Sequence, residues 1–418
     1  MKLGYVLLDG CADRPTPRLN YTTPLEAAYT PNMDIIASRS KLGRVVTVRR
    51  GVAPESDIAV FNMLGYSFEK GYPGRGVIEA VGSGLKVDQG DLALRANLAS
   101  AKGRLIVDRR AGRNLTQEEA ERLAEDLKAV RLTGAEFEFR ETVSYRGVLV
   151  IRAGGGLSAD ISNTDPAYTR VGGFGAAQPT AKIEKILECH PLVKAVKATR
   201  AARLVNEFTS KSLSVLAKSE VNRERTRSGK LPANCVLLRD AGDHLPDVAS
   251  FKDTYGIKGT ALVEMPAEVG IAKLLGMKMV SVKDRHDMKE KASLFSSELR
   301  EGTAVYVHIK GPDEFGHDGD AVGKKRNIES IDRDFFSVVA PKVGDTTIGV
   351  SCDHATPCTI KMHSADPVPL MVTMDSKGDR MRFTEKNAAR GSLGMMKGKD
   401  VLGLIVGAAA RRHTFSSS

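Results

Sequence analysis

A chain of 418 residues exceeds the roughly 250–300 at which a single hydrophobic core stops growing, so two domains are expected. Its 42% hydrophobic and 27% charged residues are those of a folded globular protein rather than a disordered one, and no run nears the ~18 apolar residues that a membrane span needs. The net charge of +11 comes from scattered Lys and Arg, with 5% aromatic residues and no Trp. That pattern argues against a nucleic-acid partner and for a solvated surface with a pocket for a small anion.

The chain opens on an apolar run that stops at Asp9, too early for a signal-peptide core, and reads as a β-strand at 4–8 closed by a carboxylate. A second strand is expected at 42–48. Pro54-Glu55-Ser56-Asp57 precedes a stretch of helical apolar spacing through Leu64, with a stop at Gly65. Ser56 therefore sits at a helix N-terminus, where backbone N–H groups favour an alkoxide or a phosphate; simple helix capping is the plainer role for a serine there.

From about 71 to 175 the texture changes to Gly, Arg and short hairpin-like runs (104–108, 137–140, 147–152) around a helix at 117–130 that follows a capping segment at 114–116. This predicts a smaller α+β domain at 71–175, inserted into a core formed by 1–70 and 176–418. Residues 179–230 read as helical and basic, and 234–239 as a strand. Strands at 303–309, 346–350 and 369–374 follow, and 414–418 reads as a loose polar tail. Alternating strands and helices define an α/β protein with a largely parallel sheet. The five cysteines, an odd number without a C-x-x-C pair, argue against a disulfide framework or a structural zinc site and fit the cytoplasm.

Asp9, Asp313 and Asp353 each close a predicted strand, and in open α/β sheets such ends converge on one crevice. Any one of them alone is more simply a turn or cap residue. Three buried carboxylates side by side repel one another unless cations lie between them. Of only eight histidines, His317, His354 and His363 fall in the same segments, and mixed His/Asp donors favour manganese, zinc or cobalt over magnesium or calcium. The other five histidines read as surface or packing residues. Lys310, at a strand end three residues before Asp313, is placed to neutralise phosphate, although a strand-end lysine is usually just solvated.

Beyond these residues, Asp9-Gly10-Cys11-Ala12-Asp13-Arg14-Pro15, Thr23-Pro24-Leu25-Glu26-Ala27-Ala28, Ser56-Asp57, Gly74-Arg75-Gly76, Asp91-Leu92-Ala93-Leu94-Arg95-Ala96-Asn97, Asp108-Arg109-Arg110-Ala111-Gly112-Arg113, Asp313-Glu314-Phe315-Gly316-His317-Asp318, Asp353-His354-Ala355-Thr356-Pro357 and His363-Ser364-Ala365-Asp366-Pro367 occur in that order along the chain. Together they resemble the archaeal-type 2,3-bisphosphoglycerate-independent phosphoglycerate mutases of the alkaline phosphatase superfamily. The resemblance implies a three-layer alkaline-phosphatase-like core with a mostly parallel sheet. It also implies isomerisation of 3-phosphoglycerate to 2-phosphoglycerate, in glycolysis and gluconeogenesis, through a phosphoserine on Ser56 and without 2,3-bisphosphoglycerate.

In that reading Asp9, Ser56, Asp353 and His354 hold one divalent ion and Asp313, His317 and His363 the other, with Mn2+ expected and Zn2+, Co2+ or Mg2+ as substitutes. Three carboxylates against two divalent ions leave a positive site suited to a phosphate dianion. Arg75, Arg95, Arg109, Arg110, Arg113 and Arg239, with Lys310, become candidates for binding a small phosphorylated carboxylic acid, although each arginine alone reads equally well as a surface residue. No membrane or nucleic-acid partner is implied; association into dimers or tetramers is. Three positions depart from the family pattern: Ala167 stands where a histidine is common, Cys352 where a glycine is usual, and Phe315 where a small residue is usual. The same donor set would also serve a metal-dependent phosphatase or a mutase of another small phospho-compound.

Overall fold

The computed structural model describes residues 1–68, 71–171, 174–177, 185–282, 284, 286–374 and 377–416. They form two compact units. One comprises Met1–Phe68, Val248–Glu264 and Ala272–Ser418, the other Glu69–Asp247 with Met265–Ile271.

The first unit is built on an eight-stranded sheet in the order Lys278–Val280, Lys258–Leu262, Thr303–Ile309, Lys2–Leu8, Thr347–Cys352, Val368–Thr373, Ser40–Val46 and Gly394–Lys397. Only Val368–Thr373 runs against the rest; its two pairings are antiparallel and all the others parallel. Parallel strands are joined by crossovers that cover both faces, so they read as continuous apolar runs rather than alternating ones. Lys2–Leu8 obeys this: six of its seven residues are buried. It lies between Thr303–Ile309 and Thr347–Cys352, with Leu8 opposite both Ile309 and Cys352. Three strand ends are thereby level, and Asp9, Lys310 and Asp353 leave the sheet side by side.

The predicted strands of this sheet all form, with ends shifted by a few residues. Lys258–Leu262, Lys278–Val280 and Gly394–Lys397 lack the apolar length that would mark them in the sequence. The tail read as loose from 414 is instead helical through Ser416, at the end of Gly398–Ser416; the last two residues lie outside those described.

The second unit carries an antiparallel sheet in which Leu92–Lys102 pairs with Leu105–Asp108, Arg146–Arg152 and Cys235–Gly242, and Arg146–Arg152 with Glu136–Glu141. Alternation along Leu92–Lys102 sends Leu92, Leu94, Ala96 and Leu98 into a core with Leu123, Leu127, Leu204, Val205 and Phe208 from the helices Gln117–Leu127 and Val196–Leu216. The predicted helix is present and begins with a Thr116/Glu119 capping box. The sequence boundary at 175 is not where this unit ends: Cys235–Gly242 is a partner of Leu92–Lys102, so the unit runs on to Asp247. Residues 178–184, the start of the predicted helical stretch, lie outside those described, and its helices are Val196–Leu216 and Glu220–Arg227. No helix among the described residues is long and apolar enough to cross a membrane.

Glu385 tethers the loop after Asp9, accepting from the Asp13 N–H at 3.1 Å and from Thr23 Oγ1 at 2.7 Å. Burial pushes its carboxyl up to about 7, against those hydrogen bonds. A carboxyl that holds its proton more tightly when folded stabilises fully below about pH 4.5, and that stabilisation is lost as pH rises through about 7. Because the side chain is partly exposed, the loss is on the order of 2 kcal/mol. Glu385→Gln should therefore show a flatter fall in urea midpoint than the wild type between pH 5 and 7.5, and parallel curves would contradict this.

Candidate active site

Three histidines and three aspartates named from the sequence converge at the carboxyl ends of the first unit's strands. Asp9 follows Lys2–Leu8, and Asp353 and His354 follow Thr347–Cys352. Asp313 and His317 lie one turn apart on the helix Pro312–Asp318, and His363 comes from the loop before Val368–Thr373. Their donor atoms, joined by those of His308 from the strand Thr303–Ile309, form three clusters, each within 4.8 Å: Asp313/His317/His363, Asp9/Asp313/His354 and Asp9/His308/Asp353.

Hydrogen bonds orient these side chains. Asp353 Oδ1 accepts from the N–H groups of Gly10 and His354, both at 3.0 Å, while its Oδ2 and Asp9 Oδ1 are buried without a hydrogen-bond donor. Gly10 has φ +56°, and a Cβ there would come within 2.5 Å of Asp313 Oδ1, so only glycine lets the two carboxylate-bearing loops approach. Thr356 Oγ1 donates to Asp313 Oδ1 at 2.6 Å and lies 3.1 Å from His354 Nδ1. Its one proton is committed to Asp313, so it accepts from His354 Nδ1–H, and the Nε2 lone pair turns toward Asp9 and Asp353, 3.5 and 3.2 Å away. His317 and His363 donate Nδ1–H to the carbonyls of Lys361 and Pro54, which turns their Nε2 atoms toward Asp313 at 3.4 and 3.5 Å. A second contact fixing the tautomer is the usual setting of a metal-ligating histidine. Behind them, fully buried Lys324 donates to Asp13 Oδ2 and to the Thr356 carbonyl, both at 2.9 Å.

The electrostatics reflect the same crowding. Burial works to raise the Asp9 carboxyl, but Lys310, 3.0 Å away, and the neighbouring imidazoles hold it well below the usual carboxylate range. Burial and the charge of Asp9 work to raise the Asp313 carboxyl, yet His363 and His354 carry it downward. Burial lowers His363, but Asp313 and Glu55 overcome it and bring the imidazole up to about 9. Ser56 is the first residue of the helix Ser56–Met63, and its Oγ lies 3.1 Å from His354 Nε2.

The second unit holds a different constellation. Alternation places Arg95 and Asn97 on the face of Leu92–Lys102 opposite its core leucines, and Arg95 is in register with Arg239. One extra residue in Cys235–Gly242, Asp240 with φ +57°, turns its carboxylate onto that same face. Asp240 Oδ2 lies 3.1 Å from Arg95 and 3.5 Å from Arg239. Asp165 pairs with Arg109 through two hydrogen bonds and with Arg239 at 3.2 Å, and Glu79 pairs with Arg75 and Arg95 at 2.8 and 3.0 Å. The Tyr168 ring underlies the guanidinium groups of Arg239 and Arg109, 4.4 and 5.1 Å from its centroid. Four guanidinium groups thus face three carboxylates, an excess of one positive charge. Burial and then the charge of Arg95 lower Arg239. Arg110 is half-buried, and Arg113, exposed with φ +55° in the turn Ala111–Arg113, stands outside this network. Ala167 offers its backbone N–H to Asp165 Oδ1 at 3.1 Å; Phe315 is half-buried and Cys352 fully buried.

His308, Thr356 and Lys324 were not singled out from the sequence, nor were Glu79, Asp165 and Asp240. Each contacts a residue or motif named there, and the folded chain reveals it.

The fold is that of an α/β protein, and clusters of His and Asp donors that could hold metal ions lie beyond the ends of its parallel strands. A family model described as 2,3-bisphosphoglycerate-independent phosphoglycerate mutase matches residues 37–222. Proteins of that name from Aeropyrum pernix and Methanopyrus kandleri are 43% and 39% identical to the chain, over 95% and 100% of it and 97% and 98% of their own lengths. Among solved structures, the cofactor-independent phosphoglycerate mutase from Thermoplasma acidophilum aligns with TM-score 0.64 at 29% identity, covering 98% of this chain and all of that one. A protein from Pyrococcus horikoshii aligns with TM-score 0.77 at 26% identity, over 98% and 97%. The chain belongs to the 2,3-bisphosphoglycerate-independent phosphoglycerate mutase family.

Thr356→Val keeps the side-chain shape but removes the hydroxyl that orients both Asp313 and His354. It should weaken binding of Mn2+ by about 10–100-fold with little change in fold. Equilibrium dialysis of the metal-stripped protein checks this, and unchanged affinity would contradict the role given to the hydroxyl.

Proposed function

We propose that the chain interconverts 3-phosphoglycerate and 2-phosphoglycerate in the cytoplasm, without 2,3-bisphosphoglycerate, through a phosphoserine on Ser56. The observation that carries this reading is the convergence of Ser56 Oγ, His354 Nε2 and two buried carboxylate oxygens lacking a donor, Asp9 Oδ1 and Asp353 Oδ2. Oxygens so placed call for a cation, and the donor set of Asp, His and Ser fits manganese, cobalt or zinc. Asp9, Ser56, Asp353 and His354 would hold one ion and Asp313, His317 and His363 the other. Bound there, the ions supply Lewis acidity and positive charge for the phosphoryl group and the serine oxygen.

The residues divide the remaining work. Ser56 takes the phosphoryl group from one hydroxyl of the substrate and returns it to the other. The N–H groups at the start of Ser56–Met63 would favour the phosphate oxygens, and Lys310, held by Asp9, would add a further positive charge. Glycerate must be retained while it changes which hydroxyl it presents, and water must be excluded from the phosphoserine. Arg75, Arg95, Arg109 and Arg239 suit this holding role, since planar guanidinium groups bind carboxylates in two-pronged fashion and their cluster has a positive excess. Arg110 and Arg113 would serve as outer contacts for the same anion.

Three measurements test the reading. Phosphorus NMR of 3-phosphoglycerate with the metal-stripped protein should show the 2-phosphoglycerate resonance only after Mn2+ is added, with no bisphosphoglycerate present. Release of free phosphate instead would make the chain a phosphatase. Ser56→Ala should lower kcat by more than about 10³-fold while metal content stays near that of the wild type, and residual turnover above that level would exclude the phosphoserine. Arg239→Ala should raise KM at least about tenfold and increase the ratio of hydrolysis to isomerisation; an unchanged ratio would remove it from the holding role.

A further inference from the structure

The two ligand groups are unequal as described: Asp313 faces two imidazoles, His317 and His363, whereas Asp9, Asp353 and Ser56 face His354 alone. A further side chain reaches the latter group. His308 is the penultimate residue of Thr303–Ile309, level with Leu7 of the central strand, and is 1% exposed. Its Nε2 lies 3.4 Å from Asp353 Oδ2 and 3.8 Å from Asp9 Oδ1. These are the two buried carboxylate oxygens that lack a hydrogen-bond donor. His354 Nε2 stands 3.2 and 3.5 Å from the same two atoms, so both imidazoles lie near one pair of oxygens.

The distances are informative in themselves. An N–H···O hydrogen bond spans about 2.7–3.2 Å, and both His308 separations exceed it. Two donors each about 2.1 Å from one ion can stand no more than about 4.2 Å apart, and both separations fall inside that limit. A structural role alone would leave His308 as a core residue beside Tyr306, whose ring centroid is 6.4 Å away. That role does not require its Nε2 to lie over two bare carboxylate oxygens.

We infer that His308 is an additional protein ligand of the divalent ion held by Asp9, Asp353, His354 and Ser56. The assignment rests on the two-metal reading above. It gives each ion two imidazoles. It also predicts a selectivity: a nitrogen donor of intermediate softness favours Co2+, Mn2+ and Zn2+ over Mg2+, so losing it costs Co2+ more than Mg2+. A histidine that merely steadied Asp353 by hydrogen bonding would support every divalent ion alike.

The test uses the full-length chain stripped of metal and titrated with Co2+, then with Mg2+, following the visible Co2+ absorption and competition with a chelator. His308→Ala, and His308→Asn as the variant nearer in volume, are compared with the wild type after circular dichroism shows the same fold. The wild type should take up two Co2+ per chain. Both variants should lose at least tenfold in Co2+ affinity at one site, shift the absorption band of that site, and lose less affinity for Mg2+. Equal losses for both metals with an unchanged absorption band would overturn the assignment, leaving His308 a positioning residue. Wild-type affinities in both variants would overturn it outright. Uptake of fewer than two Co2+ by the wild type would instead remove the two-metal reading, an outcome distinct from either.

Discussion

Carboxylates placed side by side repel one another, and much of the first unit is arranged around the repulsion of three, two just beyond adjacent strand ends and the third on the helix Pro312–Asp318. Asp9, Asp313 and Asp353 are drawn together by strand register and by a glycine without a side chain, not by any mutual attraction. Lys310, the imidazoles and the backbone N–H groups of Gly10 and His354 offset part of their charge. Two of their oxygen atoms, Asp9 Oδ1 and Asp353 Oδ2, are left buried without a hydrogen-bond donor.

The second unit meets the opposite requirement with the opposite charge. Its guanidinium groups would repel one another as the carboxylates of the first unit do, and Glu79, Asp165 and Asp240 hold them in place. Buried networks of this kind are high-stakes: satisfied, they are rigid, and with one member removed they leave a buried charge unpaired. The Tyr168 ring adds a flat surface that fits two guanidinium planes without competing for their N–H donors. Each unit thus holds like charges close together by means of opposite charges and hydrogen bonds packed among them.

The sequence exposes what lies at strand ends more readily than what lies within strands. Asp9, Asp353 and His354 follow apolar runs and break them, so their polarity stands out. His308 is embedded in Thr-Ala-Val-Tyr-Val-His-Ile, where a buried histidine reads as packing, and only its register with Leu7 brings it to the carboxylates. Likewise the end of the second unit is hidden because Cys235–Gly242 returns to the sheet after two helices, and antiparallel pairing between segments some 140 positions apart leaves no local mark in the chain. The arginines show the same limit: Arg95 and Arg239 meet across strands, whereas Arg113, beside Arg109 in sequence, projects from a left-handed turn. Thr356 and Lys324 were invisible for a simpler reason, since a hydroxyl and an amine acquire meaning only from what they touch.

Asp240 is held in the left-handed region inside a strand, a conformation that L-residues adopt at a cost. In a regular ladder the side chain at 240 would point with those of Val236 and Leu238, into the apolar layer beneath the helices. The extra residue therefore acts as a frame marker. Evolution can exchange side chains along this strand one at a time, but it cannot change the strand's length by one without exchanging the identities of its two faces. Insertions and deletions here would be removed by selection even where the residues gained or lost were themselves innocuous, so the strand is constrained in its count before it is constrained in its composition.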